Sequence, residues 1–328
     1  MENLCNLFFE LSNEDRLKIL HRLNKDAMNI TGLSKALDLT TQESSRHVAR
    51  LSDAGLALKN ADGLNNLTHY GELILKQIEG LEFTTHHKDY FASHTVAHLP
   101  IEFVARIGEL ADSVYVDDIS DVFYRVDNVI REAKEYVCTI TDQYLMSTYP
   151  LFRDALERKV KLTNIEAQDW VVSPKMKQGF YSNEAHWVAA RQVFTEARTK
   201  GLLEERMLER LDIFLYMSES EVAGVAFPLP DEKFDYVGFS GKSERAHKWC
   251  KDLFEHYWRK AHPRQRLIAE LCKWVRKRPE AIRVLKALSE GEEIAYGDEL
   301  IPKLESLNLI RQGGLTVLGD FVVAELQK

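Results

Sequence analysis

The sequence predicts an α+β protein of several domains, and three observations predict it. Apolar residues in helical spacing, then a hairpin signal, fill the first 80 residues; helices and short apolar strands alternate over about 113–262; and the opening pattern returns, shortened, after 263. The expected division is a winged helix-turn-helix at 1–80, a helical linker or dimerisation segment at 81–112, an α/β middle domain at 113–262, and a degenerate winged-helix-like segment at 263–328.

The first module is organised around Leu39–Leu56. Thr40 and Glu43 stand at capping-box spacing, which starts a helix at Thr41 and assigns Glu43 to capping. Ser44, Val48 and Leu51 make a narrow inward stripe at i, i+4 and i+7. The other face carries Thr41, Gln42, Ser45, Arg46, Ala49 and Arg50, a set of hydroxyl, amide and guanidinium groups that suits major-groove insertion. Arg46, nearer the helix start, is the candidate for a base contact and Arg50 for phosphate. Gly55 sits where a left-handed terminating residue is needed.

Upstream, Ser12 and Asp15 make a capping-box-like start for a helix from Asn13 to about Leu23, and Thr31 an N-cap for a short helix ending at Asp38. Downstream, Leu56–Lys59 and Leu64–Thr68 are extended around the turn Asn60–Gly63. That hairpin is the wing, whose Lys59, Asn60 and Asn65 are expected at phosphate or in the minor groove. Tyr70–Ile78 resumes helical spacing.

Within this order, SSRHVARLSDAGL resembles the recognition-helix segment of ArsR-type bacterial and archaeal repressors, and LTHYGELIL the "LTPLGE" segment that follows their wing. The metal-sensing cysteine motif of that family is absent from the helix, so metal sensing is not carried over.

In 81–112 the pattern is helical with a break at Pro100, and the run from Tyr90 to Leu110 is apolar enough to form an interface. His86, His87, His94 and His98 lack the spacing and the acidic or cysteine company of a metal cage, so no metal and no cofactor is expected. Farther on, Asp121–Tyr136 reads as an amphipathic helix, Tyr136–Thr141 as a strand, Tyr149–Lys159 as a helix and Val160–Ile165 as a strand. Asn183–Arg210 reads as helical throughout; Asp212–Met217, Val222–Phe227 and Tyr236–Phe239 read as strands, and Ser243 caps a last helix. The segments YRVDNVIREAKEYV, LFRDALERKVKL and KDLFEHYW resemble the middle domain of archaeal methanogenesis-regulator-type transcription factors. That resemblance implies a phospholipase-D-like fold. Its catalytic pattern, His-x-Lys followed by Asp, is missing: His86-His87-Lys88 leads to Ser93, and His247-Lys248 lacks the spacer.

After 263, LIPKLESLNLIRQGGLTVLGDFVVAEL parallels the first module, with its hairpin loop shrunk to Gln312-Gly313-Gly314. The region Glu290–Asp298, where a second helix is expected, is acidic and is not expected to read DNA. Lys273–Arg278 forms a basic end on the preceding helix, solvated or facing phosphate.

The net charge of −8 argues against a nucleic-acid binder only until it is divided, since residues 12–70 hold eight Lys/Arg against seven Asp/Glu. No apolar run approaches the ~20 residues of a membrane span, and the N-terminus lacks a signal-peptide pattern. Cys5, Cys138, Cys250 and Cys272 are scattered, which suits a reducing cytoplasm. No P-loop, GxGxxG or GxSxG stretch occurs. The expectation is therefore a cytoplasmic transcription regulator of archaeal type, not an enzyme. It would bind double-stranded DNA as a homodimer, with a small-molecule effector in its middle domain and no membrane partner. The alternatives are a winged-helix protein-interaction module and an α/β enzyme using residues such as Asp142, Tyr144, Trp170, His186 and Trp187.

Overall fold

The computed structural model describes residues 1–143, 148–169, 184–292 and 300–327, at 184–191 by backbone alone. Two compact units make up the chain: Met1–Lys88 with Ala105–Gly108, and Asp89–Val104 with Glu109–Lys328.

The first unit opens with α1 (Glu2–Leu11), which the apolar pattern does not announce because its Leu4, Phe8 and Phe9 remain exposed. Ser12 ends this helix by donating its hydroxyl to the Phe9 carbonyl at 2.9 Å, so it does not cap the next one. Asn13 does, accepting from the Arg16 amide at the start of α2 (Glu14–Leu23). Asn29, not Thr31, caps α3 (Ile30–Leu37), and Asp38 closes it in the left-handed region at φ 55°. Then come α4 (Thr41–Asp53), the strands β1 (Ala57–Lys59) and β2 (Asn65–Leu67), paired antiparallel, and α5 (His69–His86). The last helix outruns its expected end at Ile78 because Phe83 is buried as well. Ile19, Leu20, Leu33, Val48, Leu51, Leu56 and Leu75 form the core.

The expected linker is not a separate body. After α6 (Lys88–Ser93) and α7 (Ile101–Val104), a single 3-10 turn covers Ile107–Leu110, and the segment divides between the two units. Most of its apolar run packs inside the chain, with Ile101 left exposed, so little of it remains for the expected interface. Tyr90 stacks on His94 at 3.8 Å and meets Phe239 edge-on at 5.1 Å, while Phe103 packs on Trp249 and accepts its indole N–H at 3.1 Å.

The second unit carries a large mixed sheet. Its elements are β3 (Val114–Val116), α8 (Ile119–Glu132), β4 (Tyr136–Thr141), α9 (Thr148–Glu157), β5 (Lys161–Ala167), α10 (Glu184–Thr199), β6 (Leu203–Leu208), β7 (Phe214–Ser218), β8 (Val222–Ala226), β9 (Gly238–Gly241), α11 (Glu244–Lys260) and β10 (His262–Pro263). The eight strands lie in the order β10-β6-β5-β4-β7-β8-β9-β3. Only β4, β5 and β6 run parallel, joined through α9 and α10; every other pairing is antiparallel. Phe214 and Tyr216 join the core formed with α8 and α9, and the alternating Leu215 and Met217 turn to the face that α11 covers. The expected long helix at 183–210 is corrected: it stops at Thr199, Gly201 turns at φ 70°, and Leu203–Leu208 is a strand. Leu203 and Met207 fit helical spacing, but Glu205 stands half-buried between them in the alternation of a strand, paired with Arg198 and Arg264.

Beyond the sheet come α12 (Arg264–Arg276), α13 (Pro279–Glu290), α14 (Leu300–Ser306), β11 (Ile310–Arg311), β12 (Gly314–Leu315) and α15 (Val317–Leu326). Gln312 and Gly313 both take positive φ between the two strands, as a tight two-residue hairpin turn requires. Arg264, buried at the start of α12, holds this end of the chain to the sheet through Glu166 and Glu205 and lies 4.5 Å from the Phe321 ring. Most of the acidic region Glu290–Asp298 falls outside the described residues.

Candidate nucleic-acid interface

Three local features fix α4. The Thr40 hydroxyl accepts from the Glu43 amide at 3.1 Å while the Glu43 carboxylate accepts from the Thr40 amide at 3.0 Å, completing the capping box. The buried Ser34 hydroxyl hydrogen-bonds to that of Ser44 at 3.0 Å, tying α3 to α4. At the far end Gly55 takes φ 74°, and Leu56 enters the core directly behind it. Val48 and Leu51 are buried, as the stripe predicts, and His47 joins them.

The structure leaves Thr41, Gln42, Ser45 and Arg46 exposed on α4, together with Ala49. Arg46 makes no ion pair among the described residues, so its guanidinium is available to a partner. Arg50 differs. It donates from Nε and Nη2 to the two oxygens of Glu10, at 2.9 and 2.5 Å, and its guanidinium carbon lies 5.3 Å from the Phe9 ring. That hydrogen-bonded pairing holds the Glu10 carboxyl below the usual carboxylate range. Arg16 braces the same helix end, donating to the Glu10 and Phe9 carbonyls at 2.5 and 2.9 Å. Arg50 is therefore engaged by a helix the sequence pattern did not reveal. Between α1, the end of α4 and the start of α5 lies an open groove of about 670 Å³, lined by Asn6, Phe9, Glu10, Arg50, Asp53 and Tyr70.

The wing splits the other three candidates. Lys59 is exposed at the end of β1. Asn60 spends its side-chain oxygen on the turn, accepting from the amides of Asp62 and Leu64 at 3.0 Å each. Asn65 is corrected: it is buried at 3% exposure and donates its side-chain amide to the Met28 carbonyl, locking β2 to the entry of α3. An outward role for Asn65 does not survive that geometry.

His47 is buried beside the Val48–Leu51 stripe. Burial lowers the pKa of its imidazole, opposed by Asp15, whose carboxylate is 3.8 Å from Nε2; Nδ1 is buried without a partner. The ring packs beneath the outward face.

In the sheet, Asp142 follows β4 at the point where a parallel neighbour gives way to an antiparallel one. Its carboxylate accepts from the Tyr236 hydroxyl at 2.9 Å, and burial raises its pKa. Beside it Phe123, Gln143, Phe214, Tyr216 and Tyr236 line a cavity of about 10 Å³, room for roughly one water. Tyr144, Trp170 and the side chains of His186 and Trp187 lie outside the described residues. His94 is buried with Nε2 3.1 Å from Asp235. Among the described residues no group of three His, Cys, Asp or Glu could hold a metal, and no helix is long and apolar enough to cross a membrane.

No family model and no curated protein matches the sequence. Among solved structures, the chain is similar to TrmBL2, an archaeal chromatin protein described as showing a novel mode of DNA binding, at 15% identity and a TM-score of 0.35, over 76% of this chain and 94% of that one. It is also similar to the S-adenosylmethionine-dependent methyltransferase SibL, at 13% identity and a TM-score of 0.22, over 61% and 62% of the two chains. An O-methyltransferase family protein from Burkholderia thailandensis aligns at 11% identity and a TM-score of 0.23, over 61% and 63%. These matches correct the expectation that the chain is not an enzyme, since they include enzymes of one class, although at such scores they assign no activity. A phospholipase-D-like middle domain finds no support among them.

Proposed function

We propose that the first unit is the DNA-reading module of a transcription regulator of the ArsR-like winged-helix kind, with α4 in the major groove and the β1–β2 hairpin along the backbone. The observation that carries this reading is the outward face of α4, where Thr41, Gln42, Ser45 and Arg46 stand exposed above a rigidly capped and cross-bonded helix. Arg46 makes the bidentate base contact, the amide and hydroxyls support it, and Lys59 meets phosphate. Arg50 reaches phosphate only when it exchanges Glu10 for it. The middle domain is assigned a small effector, at a place other than the cavity beside Asp142, which has room for roughly one water.

One such module covers too few base pairs for useful discrimination, so the active species is a homodimer. With most of the Tyr90–Leu110 run occupied, the exposed Leu4 and Phe8 of α1 and Leu73 and Leu81 of α5 supply its surface. The test is a titration of labelled duplex carrying the region upstream of the chain's own coding sequence, read by fluorescence anisotropy over a salt series. Sequence-selective binding that weakens with salt supports the reading; the absence of any shift removes it.

A further inference from the structure

We propose that the turn between α12 and α13 is a second, sequence-independent contact for the phosphate backbone of duplex DNA; this rests on the reading of the chain as a DNA binder. Residues 273–286 hold six Lys/Arg (Lys273, Arg276, Lys277, Arg278, Arg283 and Lys286) against the single acid Glu280, in a chain whose net charge is −8. All six are exposed, and none forms an ion pair with a carboxylate among the described residues. Elsewhere in this unit cations are commonly paired: Arg153, Arg198, Arg210, Arg264 and Arg311 each hold a carboxylate. The corner keeps its charge uncompensated.

Its geometry suits an extended polyanion. Lys273, Arg276 and Lys277 fall at i, i+3 and i+4, along one face at the end of α12. Arg278 is fixed beside them, its guanidinium carbon 4.0 Å from the Trp274 ring and its Nη1 donating to the Trp274 carbonyl at 3.1 Å. The same residue is the N-cap of α13, where it makes no side-chain cap hydrogen bond and Pro279 follows in the first turn. A cation at that position opposes the positive end of the helix dipole, and the first-turn amides lack a side-chain acceptor. An anion at this corner relieves both. A row of phosphates spaced along a duplex suits several cations on one helix face better than a single small anion does.

The contact differs in kind from that of α4. It is all charge, with no amide or hydroxyl set to read bases, so it strengthens binding to any duplex and leaves selectivity to Arg46. The experiment compares the full-length parent, the triple variant Lys273→Gln/Arg276→Gln/Lys277→Gln and the charge-keeping Lys273→Arg/Lys277→Arg on operator and scrambled duplexes over a salt series. Each phosphate contact carries about 0.9 of the slope of log affinity against log salt. The triple variant should therefore lose about two to three units of slope on both duplexes, while the charge-keeping variant matches the parent. A triple variant with the parent's slope and affinity overturns the proposal. So does unchanged duplex binding with loss of binding to phosphatidylserine vesicles, which would make the corner a membrane contact. Failure of the α4 reading shows separately, as an Arg46→Ala variant that binds like the parent.

Discussion

Gly71 lies so close to Leu56 that a Cβ on the glycine would stand 2.1 Å from the Leu56 carbonyl oxygen. Thr68 makes the approach, accepting from the Gly71 amide at 2.9 Å, donating its hydroxyl to the Gly55 carbonyl at 2.6 Å and its amide to Leu56 at 3.0 Å. The same clamp recurs near the other end of the chain. A Cβ on Gly319 would stand 2.1 Å from the Leu309 carbonyl oxygen, while Thr316 accepts from the Gly319 amide, donates its hydroxyl to Asn308 and its amide to Leu309. Asn308 takes the left-handed φ of 53° that Gly55 takes at 74°. One helix–hairpin–helix joint is thus built twice.

Gly71→Ala should destabilise the first unit, and Gly319→Ala the end of the second, by about 1–3 kcal/mol or more, because the methyl meets backbone that cannot step aside. Urea unfolding of each variant checks this. Gly201→Ala is the control, since nothing lies within 4 Å of its added methyl and only its positive φ of 70° is strained. Parent-like stability of Gly71→Ala would contradict the clamp.

Thr40→Ala removes the α4 cap and should cost about 0.5–2 kcal/mol. The loss should appear both in the melting temperature and in duplex affinity, since the same helix serves both. A variant that melts lower yet binds DNA unchanged would detach α4 from the interface.

His47 gives the first unit a pH dependence. Burial lowers its folded pKa below the unfolded value of about 6.5, so the neutral ring is fully compatible with folding above about pH 6.5, and stability falls as pH drops from there toward the folded pKa. Asp15 opposes this shift, while Arg16 and Arg46 add to it. Between pH 7.5 and 5.5 the denaturation midpoint of the parent should fall relative to that of His47→Leu. Parallel curves would mean that the ring is not held neutral.

Glu10→Gln should release Arg50, raising affinity for any duplex and adding about one unit of salt slope as the freed guanidinium meets phosphate. Arg50→Ala in the parent should change binding little, because Glu10 already holds that side chain. A large loss for Arg50→Ala would show that DNA outcompetes the carboxylate.

How much of this was legible in the sequence depended on the range of the interaction. The Thr40–Glu43 box, the Val48–Leu51 stripe and the Gly55 turn are local, and each stands where its spacing puts it. Asn13 and Asn29 displaced Ser12 and Thr31 as caps because two neighbouring cap-forming residues compete and sequence does not rank them. The Glu10 pairing of Arg50 and the burial of Asn65 were not legible for a different reason: Glu10 is 40 residues from one and Met28 37 from the other. β6 was hidden by its charge, since Glu205 in an inward strand position makes sense only once Arg198 and Arg264 arrive to pair with it.

The central claim is that the outward face of α4 reads bases through Arg46, and binding of Arg46→Ala to operator and scrambled duplexes over a salt series tests it most directly. Arg46 is exposed and supports no core contact, so the variant should keep the parent's melting temperature within a few degrees. On the operator it should bind about 5- to 150-fold more weakly, with preference relaxed at one base position per half-site and a smaller loss on scrambled DNA. Parent-like affinity and selectivity on the operator would contradict the account and leave the face of α4 without a role in reading DNA.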